Sequence, residues 1–390
     1  MKINVYPVMS PLHDIEEISK NSNILMQEIA KTLKCNVSIS NLNHLYDSDL
    51  SLILVQSGGS EGEFLKVFDN LREPYYLLTY GNNNSLAASM EILSFLKGKN
   101  KDAEILHGSF EYISKRILEL ENRKNEEPIR LGVLGKPSDW LIASNVDYED
   151  ALKKHNISLI DLDIEKVIKN YPNYDPAMFK SEKNFHFDEK ALNASKALVL
   201  EIDELVKEKN LSGITIRCFD FLKTIKTTAC LSLALLNERG IVGTCEGDIP
   251  AMISMFISKK ICGITGFQAN PSRIDIINNE IVFAHCTLPF NMVNSYKLDT
   301  HFESGIGLAL KGELHKEKVT IFKLSKNLKD YFVTTGNITE NLNEQNLCRT
   351  QIKIHVDNNI EYFLRNPYGN HHIIIYGNYE KEIISYMQSI

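Results

Sequence analysis

Three times along this chain a short apolar run breaks on a glycine-bearing loop and hands over to a longer amphipathic stretch. DLSLILVQSGG does so first, followed by PYYLLTYGNNNSLAASMEILSFLKG, and IRLGVLGKPSDWLIAS starts the rhythm again. Apolar runs this short, flanked by helical periodicity, suit parallel strands covered on both faces by helices. Ligands of such sheets meet the loops at the carboxyl ends of the strands, so those loops carry the search for function.

The charged stretch ELENRKNEEP separates the two series and sets a boundary near residue 127. The second series continues through the strand GITIRCFDF, the helical TTACLSLALLNERG, the strand IVGTC and a helix ending near KKICG. After about residue 275 the texture changes to short β-prone pieces such as NEIVFAHCTLP, DYFVTTGNI and CRTQIKIHVD, separated by Gly, Asn and Lys turns, and YEKEIISYMQSI closes the chain as a helix. The expected architecture is α/β: two Rossmann-like domains, 1–126 and 127–275, followed by a β-rich, barrel-like carboxyl-terminal domain, 276–390.

A length of 390 residues exceeds one ordinary domain, and 43% hydrophobic against 24% charged residues is enough to bury real cores. Lys and Arg number 43 against 50 Asp and Glu, a formal charge of -7 with no basic tract, which argues against nucleic acid or an anionic membrane as the main partner. No apolar run reaches the roughly 18–20 residues that span a bilayer, and MKINVYPVMSP reads as a strand and turn, so a cytoplasmic location is expected. The seven cysteines are dispersed and form no CxxC pair, which predicts small buried side chains and neither a disulfide framework nor a structural zinc site.

The chemistry gathers around GTCEGDIPAM, where Glu246 and Asp248 stand one residue apart between an apolar run and a helix opened by Pro250. Asp248 can cap that helix. Glu246 follows the strand and belongs to its carboxyl edge. Two close carboxylates repel unless a proton or cation neutralises them, and a divalent metal would do so while polarising a sugar hydroxyl and carbonyl. His371 and His372 in YGNHHIIIYG alternate across a strand start, so one can enter a site while the other packs or meets solvent. His285 closes IVFAHC at a similar strand end, and His301 and Glu303 in THFESG line the same pocket or make turn hydrogen bonds. Arg217, flanked by apolar residues, requires a nearby carboxylate or an anionic substrate, and Arg349 reads as structural. The loops QSGGSEGE and YGNNNS offer Gln56, Ser57, Glu61 and Asn82 to sugar hydroxyls or serve as plain turns; neither is a P-loop, and no GxGxxG is present.

As a set, CEGD, QANPS, AHCTLP, THFESGIG and GNHHIIIYG resemble the L-fucose isomerase and L-arabinose isomerase superfamily, in particular its shorter fucose-isomerase-like members, over nearly the whole chain. The resemblance implies aldose–ketose isomerisation through a cis-enediol, with a divalent ion, usually Mn²⁺, and carboxylates that move a proton between C1 and C2. EGD fills the place of that family's END segment, which makes Asp248 a metal ligand, and Asn370 and His371 fill its Asn-His pair, which makes His371 another. The family's further glutamate, upstream of the aspartate, has no counterpart in LKTIKTTACL around Thr224, and Glu246 or Glu303 takes its place. The site so implied holds the metal through Asp248, His371, Glu246 and His285, moves the proton with Asp248 or Glu246, and meets a small sugar through Arg217, Gln56, Glu61, Asn82 and Glu303. A sulfonate or phosphate on that sugar would turn attention to Arg217 and Lys136. A homo-trimer or homo-hexamer is also implied. The competing readings are a carbohydrate lyase or epimerase sharing the enediolate step, and a sugar-binding protein that has lost catalysis.

Overall fold

The computed structural model describes every residue except Asp14, and every other side chain except those of Glu17, Arg123, Lys124 and Asn125. The chain divides into two compact units, Met1–Glu126 and Glu127–Ile390. The first is built on strands β1 (Lys2–Val8), β2 (Asn36–Ile39), β3 (Leu50–Val55), β4 (Tyr75–Leu78) and β5 (Ala103–Leu106), all parallel in the order β2-β1-β3-β4-β5. The period of two divides β3 between two cores. Leu50, Leu52 and Leu54 pack with helices Ile15–Leu33 and Phe110–Asn125, while Ile53 and Val55 pack with Ser60–Val67 and Ser85–Gly98. Both faces are therefore covered, as the unbroken apolar runs required.

The second unit starts with a four-stranded parallel sheet of β6 (Ile129–Leu134), β7 (Ile157–Leu162), β8 (Gly213–Ile216) and β9 (Val242–Cys245), ordered β7-β6-β8-β9. β9 lies at an edge, where unpaired backbone groups are costly once buried. Two carboxamides stand in for the missing strand. Asn237 donates to the Gly243 carbonyl (2.7 Å) and accepts from its N–H (2.9 Å), and Gln268 does the same for Cys245 (3.3 and 2.7 Å).

The rest of this unit is the strands β10 (Phe267–Asp275), β11 (Glu280–His285), β12 (Val293–Asp299), β13 (Ala309–Leu314), β14 (Lys318–Leu324), β15 (Tyr331–Asn341), β16 (Thr350–Val356) and β17 (His372–Tyr376). Six of them close an antiparallel barrel in the order β10-β11-β16-β15-β14-β17, and β12 and β13 form a separate ribbon. The two Rossmann-like sheets and the barrel are the architecture that the periodicity predicted. β10 begins at Phe267, ahead of the change in texture near residue 275, because QANPS carries too few β-prone residues to read as a strand.

Alternation sends Val319, Ile321, Ile352, Ile354 and Ile374 into the barrel and Phe322, Leu324, Ile373 and Ile375 outward. The outward set packs against helix Ile249–Cys262, which is buried without interruption from Ile249 to Ser258, and against the terminal helix Glu380–Gln388. A helix apolar all round belongs inside a protein, and this one is held between the parallel sheet and the barrel wall. All seven cysteines are free thiols; Cys218, Cys230, Cys245 and Cys286 are buried and the other three partly so.

Ile373 is fully buried in the core shared by sheet, helix and barrel. Ile373→Ala is expected to lower the stability of the second unit by about 2–5 kcal/mol. The only tryptophan, Trp140, lies in that unit, so the loss reads as an earlier midpoint in a urea titration followed by its fluorescence.

Candidate metal centre

At the carboxyl end of β9 the backbone turns sharply through two residues of positive φ, Glu246 (65°) and Gly247 (71°), before Asp248 opens the next helix. A side chain at residue 247 is impossible in this conformation, since a Cβ there would stand 2.2 Å from the Lys136 carbonyl oxygen. The loop after β6 thereby closes onto the turn, with the Ser138 N–H donating to the Glu246 carbonyl (2.9 Å). Left-handed backbone at a glutamate is costly and collects at functional sites. It aims the Glu246 carboxylate so that Oε2 accepts from the Trp140 indole N–H (2.6 Å) and Oε1 faces two imidazoles.

Those imidazoles belong to the barrel. His285 ends β11, and His371 immediately precedes β17. Their Nε2 atoms lie 4.0 and 3.5 Å from Glu246 Oε1, the two rings are 5.2 Å apart, and ligating atoms of all three residues fall within 4.8 Å of one another. All three side chains are buried. His371 Nδ1 pairs with Asp248 Oδ2 (2.9 Å), which leaves Nε2 buried with no hydrogen-bond partner. At His285, Nδ1 accepts from the Cys286 N–H (2.8 Å) and lies 3.1 Å from Thr287 Oγ1, so the proton of the neutral ring sits on Nε2, facing Glu246, and is the one a metal ion would displace.

Asp248 is outside this trio. Its carboxylate caps the helix by accepting from Ala251 N–H (2.9 Å), pairs with His371, and meets the Lys323 ammonium at 3.3 and 3.4 Å, with aspartate and lysine both fully buried. Cap and polar anchor thus coincide in one residue. His372, the other half of the pair, turns into the barrel, donating from Nδ1 to the Asn370 carbonyl (2.8 Å) among Phe283, Phe332 and Phe363.

The remaining residues singled out from sequence fall into two groups. Glu303 is exposed, makes no hydrogen bond among the described residues, and feels the charge of Glu246, while His301 stacks edge-on against Phe219, which in turn meets Trp140. Arg217 is spent on its own surroundings: it donates to the Pro137 carbonyl (2.9 Å) and Asp139 (2.8 Å) and pairs with Asp220 (3.0 Å), bracing the loop that carries Trp140. Arg349 donates to both the carbonyl and hydroxyl of Thr300. Gln56, Glu61 and Asn82 lie in the first unit, where the Gln56 amide is committed to Ser22 Oγ (2.7 Å), Glu61 sits in the first turn of a helix, and Asn82 is exposed. Sequence reasoning missed Trp140, Lys323 and Gln268 as parts of the centre. A lone tryptophan after a parallel strand and a lone lysine in the alternating VTIFKL were the available signals.

No family model matches the chain. It is similar over most of its length to proteins named sulfoquinovose isomerase. It is 22% identical over 383 residues to that of Priestia megaterium, covering 88% of this chain and 84% of the relative, with the same figures for Priestia aryabhattai. The protein of that name from Alkalicoccus urumqiensis is 24% identical over 275 residues, covering 65% of this chain and 60% of the relative. The likeness is therefore to proteins of this name at low identity, and does not single out the L-fucose and L-arabinose isomerases expected from the motifs. No helix among the described residues is long and apolar enough to cross a membrane.

The electrostatics of the centre are set by burial against pairing. Burial pushes the Glu246 carboxyl up, but the imidazoles of His371 and His285 and the Trp140 N–H override it and bring it to about 2. Burial would discharge His371, yet Asp248 and Glu246 on either side hold its pKa up at about 9. His285 and His372 are driven down to about 3, chiefly by burial. Their effects on stability have opposite signs. His371, raised above its unfolded value, stabilises the fold below pH 6.5 and loses that contribution as pH rises through 9, whereas His285 and His372 favour the fold above 6.5 and lose it as pH falls toward 3. Metal-free protein is expected to be most stable near pH 6.5, in thermal melts recorded with a chelator, and His371→Gln should flatten the alkaline decline.

Proposed function

We propose that the chain is a divalent-metal-dependent aldose–ketose isomerase of the sulfoquinovose isomerase kind, within the wider L-fucose and L-arabinose isomerase superfamily, and that its substrate is a sulfonated monosaccharide. The observation that carries this reading is the convergence of two buried imidazole nitrogens, His371 Nε2 and His285 Nε2, on one carboxylate oxygen, Glu246 Oε1, with His371 Nε2 making no hydrogen bond. An unpaired buried nitrogen is expensive, and two imidazoles with one carboxylate are a donor set suited to a divalent cation. Glu246, His285 and His371 would hold the ion, which is Mn²⁺ on the resemblance. When bound, the ion supplies a Lewis acid beside the sugar carbonyl.

The chain's own groups do the rest. Asp248 has its oxygens committed to Ala251, Lys323 and His371, so it serves behind His371 and the proton-moving role passes to Glu246 and Glu303. Glu303 is suited to it: the carboxylate is exposed and unbonded, and burial, then the charge of Glu246, raises its pKa and makes it readier to take up a proton from the carbon beside the carbonyl and return it to the next, through the cis-enediolate. Trp140 holds the Glu246 carboxylate through its N–H while leaving the indole half-exposed at the rim. Arg217 being occupied, the exposed Lys136 on the same loop is the cation left for a sulfonate. Assembly as a trimer or hexamer and a cytoplasmic location belong to the same reading.

Incubating sulfoquinovose in D₂O with metal-stripped protein and with protein restored with Mn²⁺ tests it by NMR. Metal-dependent ketose formation with deuterium at C1, and deuterium at C2 of the re-formed aldose, is expected, and Glu246→Gln should lower kcat/KM by about 10²–10⁴ with the fold retained. Stoichiometric metal without any conversion or exchange would overturn the isomerase reading in favour of a lyase or a binding protein.

A further inference from the structure

Lys323 occupies a position where an aliphatic side chain is expected. Along β14, Val319 and Ile321 point into the barrel and Phe322 and Leu324 outward, so the period of two sends Lys323 inward after two apolar residues. Its ammonium is fully buried, and its only hydrogen bonds among the described residues go to the two oxygens of Asp248. A buried lysine with a single carboxylate partner is among the costlier arrangements a core can contain. Register places it beside the centre: Phe322 pairs with Ile373, one step from His372, which pairs with Ala269, and the adjoining Asn270 pairs with Ala284, the neighbour of His285. Three contacts then define the Asp248 carboxylate, namely Ala251 N–H on Oδ1, His371 on Oδ2, and Lys323 across both.

We propose that Lys323 is a positioning residue for the metal centre: by pinning both oxygens of Asp248 it fixes the carboxylate that holds His371 as the Nδ1–H tautomer, with the Nε2 lone pair delivered toward Glu246 and His285. This rests on the metal reading above. Lys323 touches neither ligand trio nor substrate, and it acts only through Asp248. Without it, Asp248 keeps its cap bond to Ala251 but is free to rotate its second oxygen away from His371. Partners behind a metal-bound histidine typically tune affinity by 10–100-fold.

The test is Mn²⁺ affinity, measured by electron paramagnetic resonance on the full chain, in wild type, Lys323→Met, Asp248→Asn and the double variant, with ¹⁵N spectra of histidine, recorded above pH 9 where the ring is neutral, reporting the His371 tautomer in metal-free protein. Lys323→Met is expected to weaken Mn²⁺ about 10–100-fold and to dissolve the single Nδ1–H signature, yet to add nothing in the Asp248→Asn background. Unchanged affinity and tautomer in Lys323→Met, or losses that simply multiply in the double variant, would overturn the proposal. If Lys323→Met fails to fold, the comparison of Asp248→Asn with the double variant, which removes both buried charges, still decides: equal affinities are required, and a further tenfold loss refutes it. A wild type that binds no Mn²⁺ would instead sink the metal reading itself.

Discussion

Asp248 is where the second unit is tied together. Its carboxylate caps the buried helix that follows the parallel sheet, accepts the ammonium of β14, and holds the histidine that precedes β17, so sheet, helix and barrel meet in one side chain. A cap alone contributes about 1 kcal/mol, whereas removing one partner from a buried ion pair costs about 3–5 kcal/mol. The second term dominates. It makes Asp248 intolerant of change for structural reasons even though its role is read through chemistry.

The same economy of position recurs at β9. An edge strand buried against the barrel needs its backbone satisfied, and the carboxamides of Asn237 and Gln268 do this from opposite directions along the chain. Gln268 belongs to the first barrel strand and closes on Cys245, the residue immediately before Glu246. The barrel therefore positions Glu246 from below through the backbone and faces it from above with His285 and His371. The Gly247 turn, which only a residue without Cβ can make against the Lys136 carbonyl, brings the Trp140 loop over the remaining oxygen. Charge balance follows from the packing: Glu246 and Asp248 are offset by His371 and Lys323, which lets four ionisable groups share a core.

Layers and their order were legible because they depend on local periodicity. Apolar runs in DLSLILVQSGG and IRLGVLGK, helical stripes between them, and short alternating pieces after residue 275 each express a buried face that needs no distant contact to be recognised. Glu246 and His285 were legible as candidates because one follows and the other closes a strand, and His371 through its motif. Lys323 and Gln268 were not, since a lysine in VTIFKL and a glutamine in GFQAN look like ordinary polar members of a half-exposed strand until the barrel closes.

What the sequence determined by itself was the kind of layers, their succession, and the residue types able to carry metal chemistry. Which of those residues meet was decided only by tertiary structure. His285 and His371 are 86 residues apart in number and come together because β10 lies between β11 and β17 in the barrel, an adjacency that no local pattern encodes. The different surroundings of Glu246 and Asp248, two residues apart on one loop, likewise come from the third dimension: the left-handed turn sends one carboxylate toward the two Nε2 atoms, and the buried lysine pairs with the other.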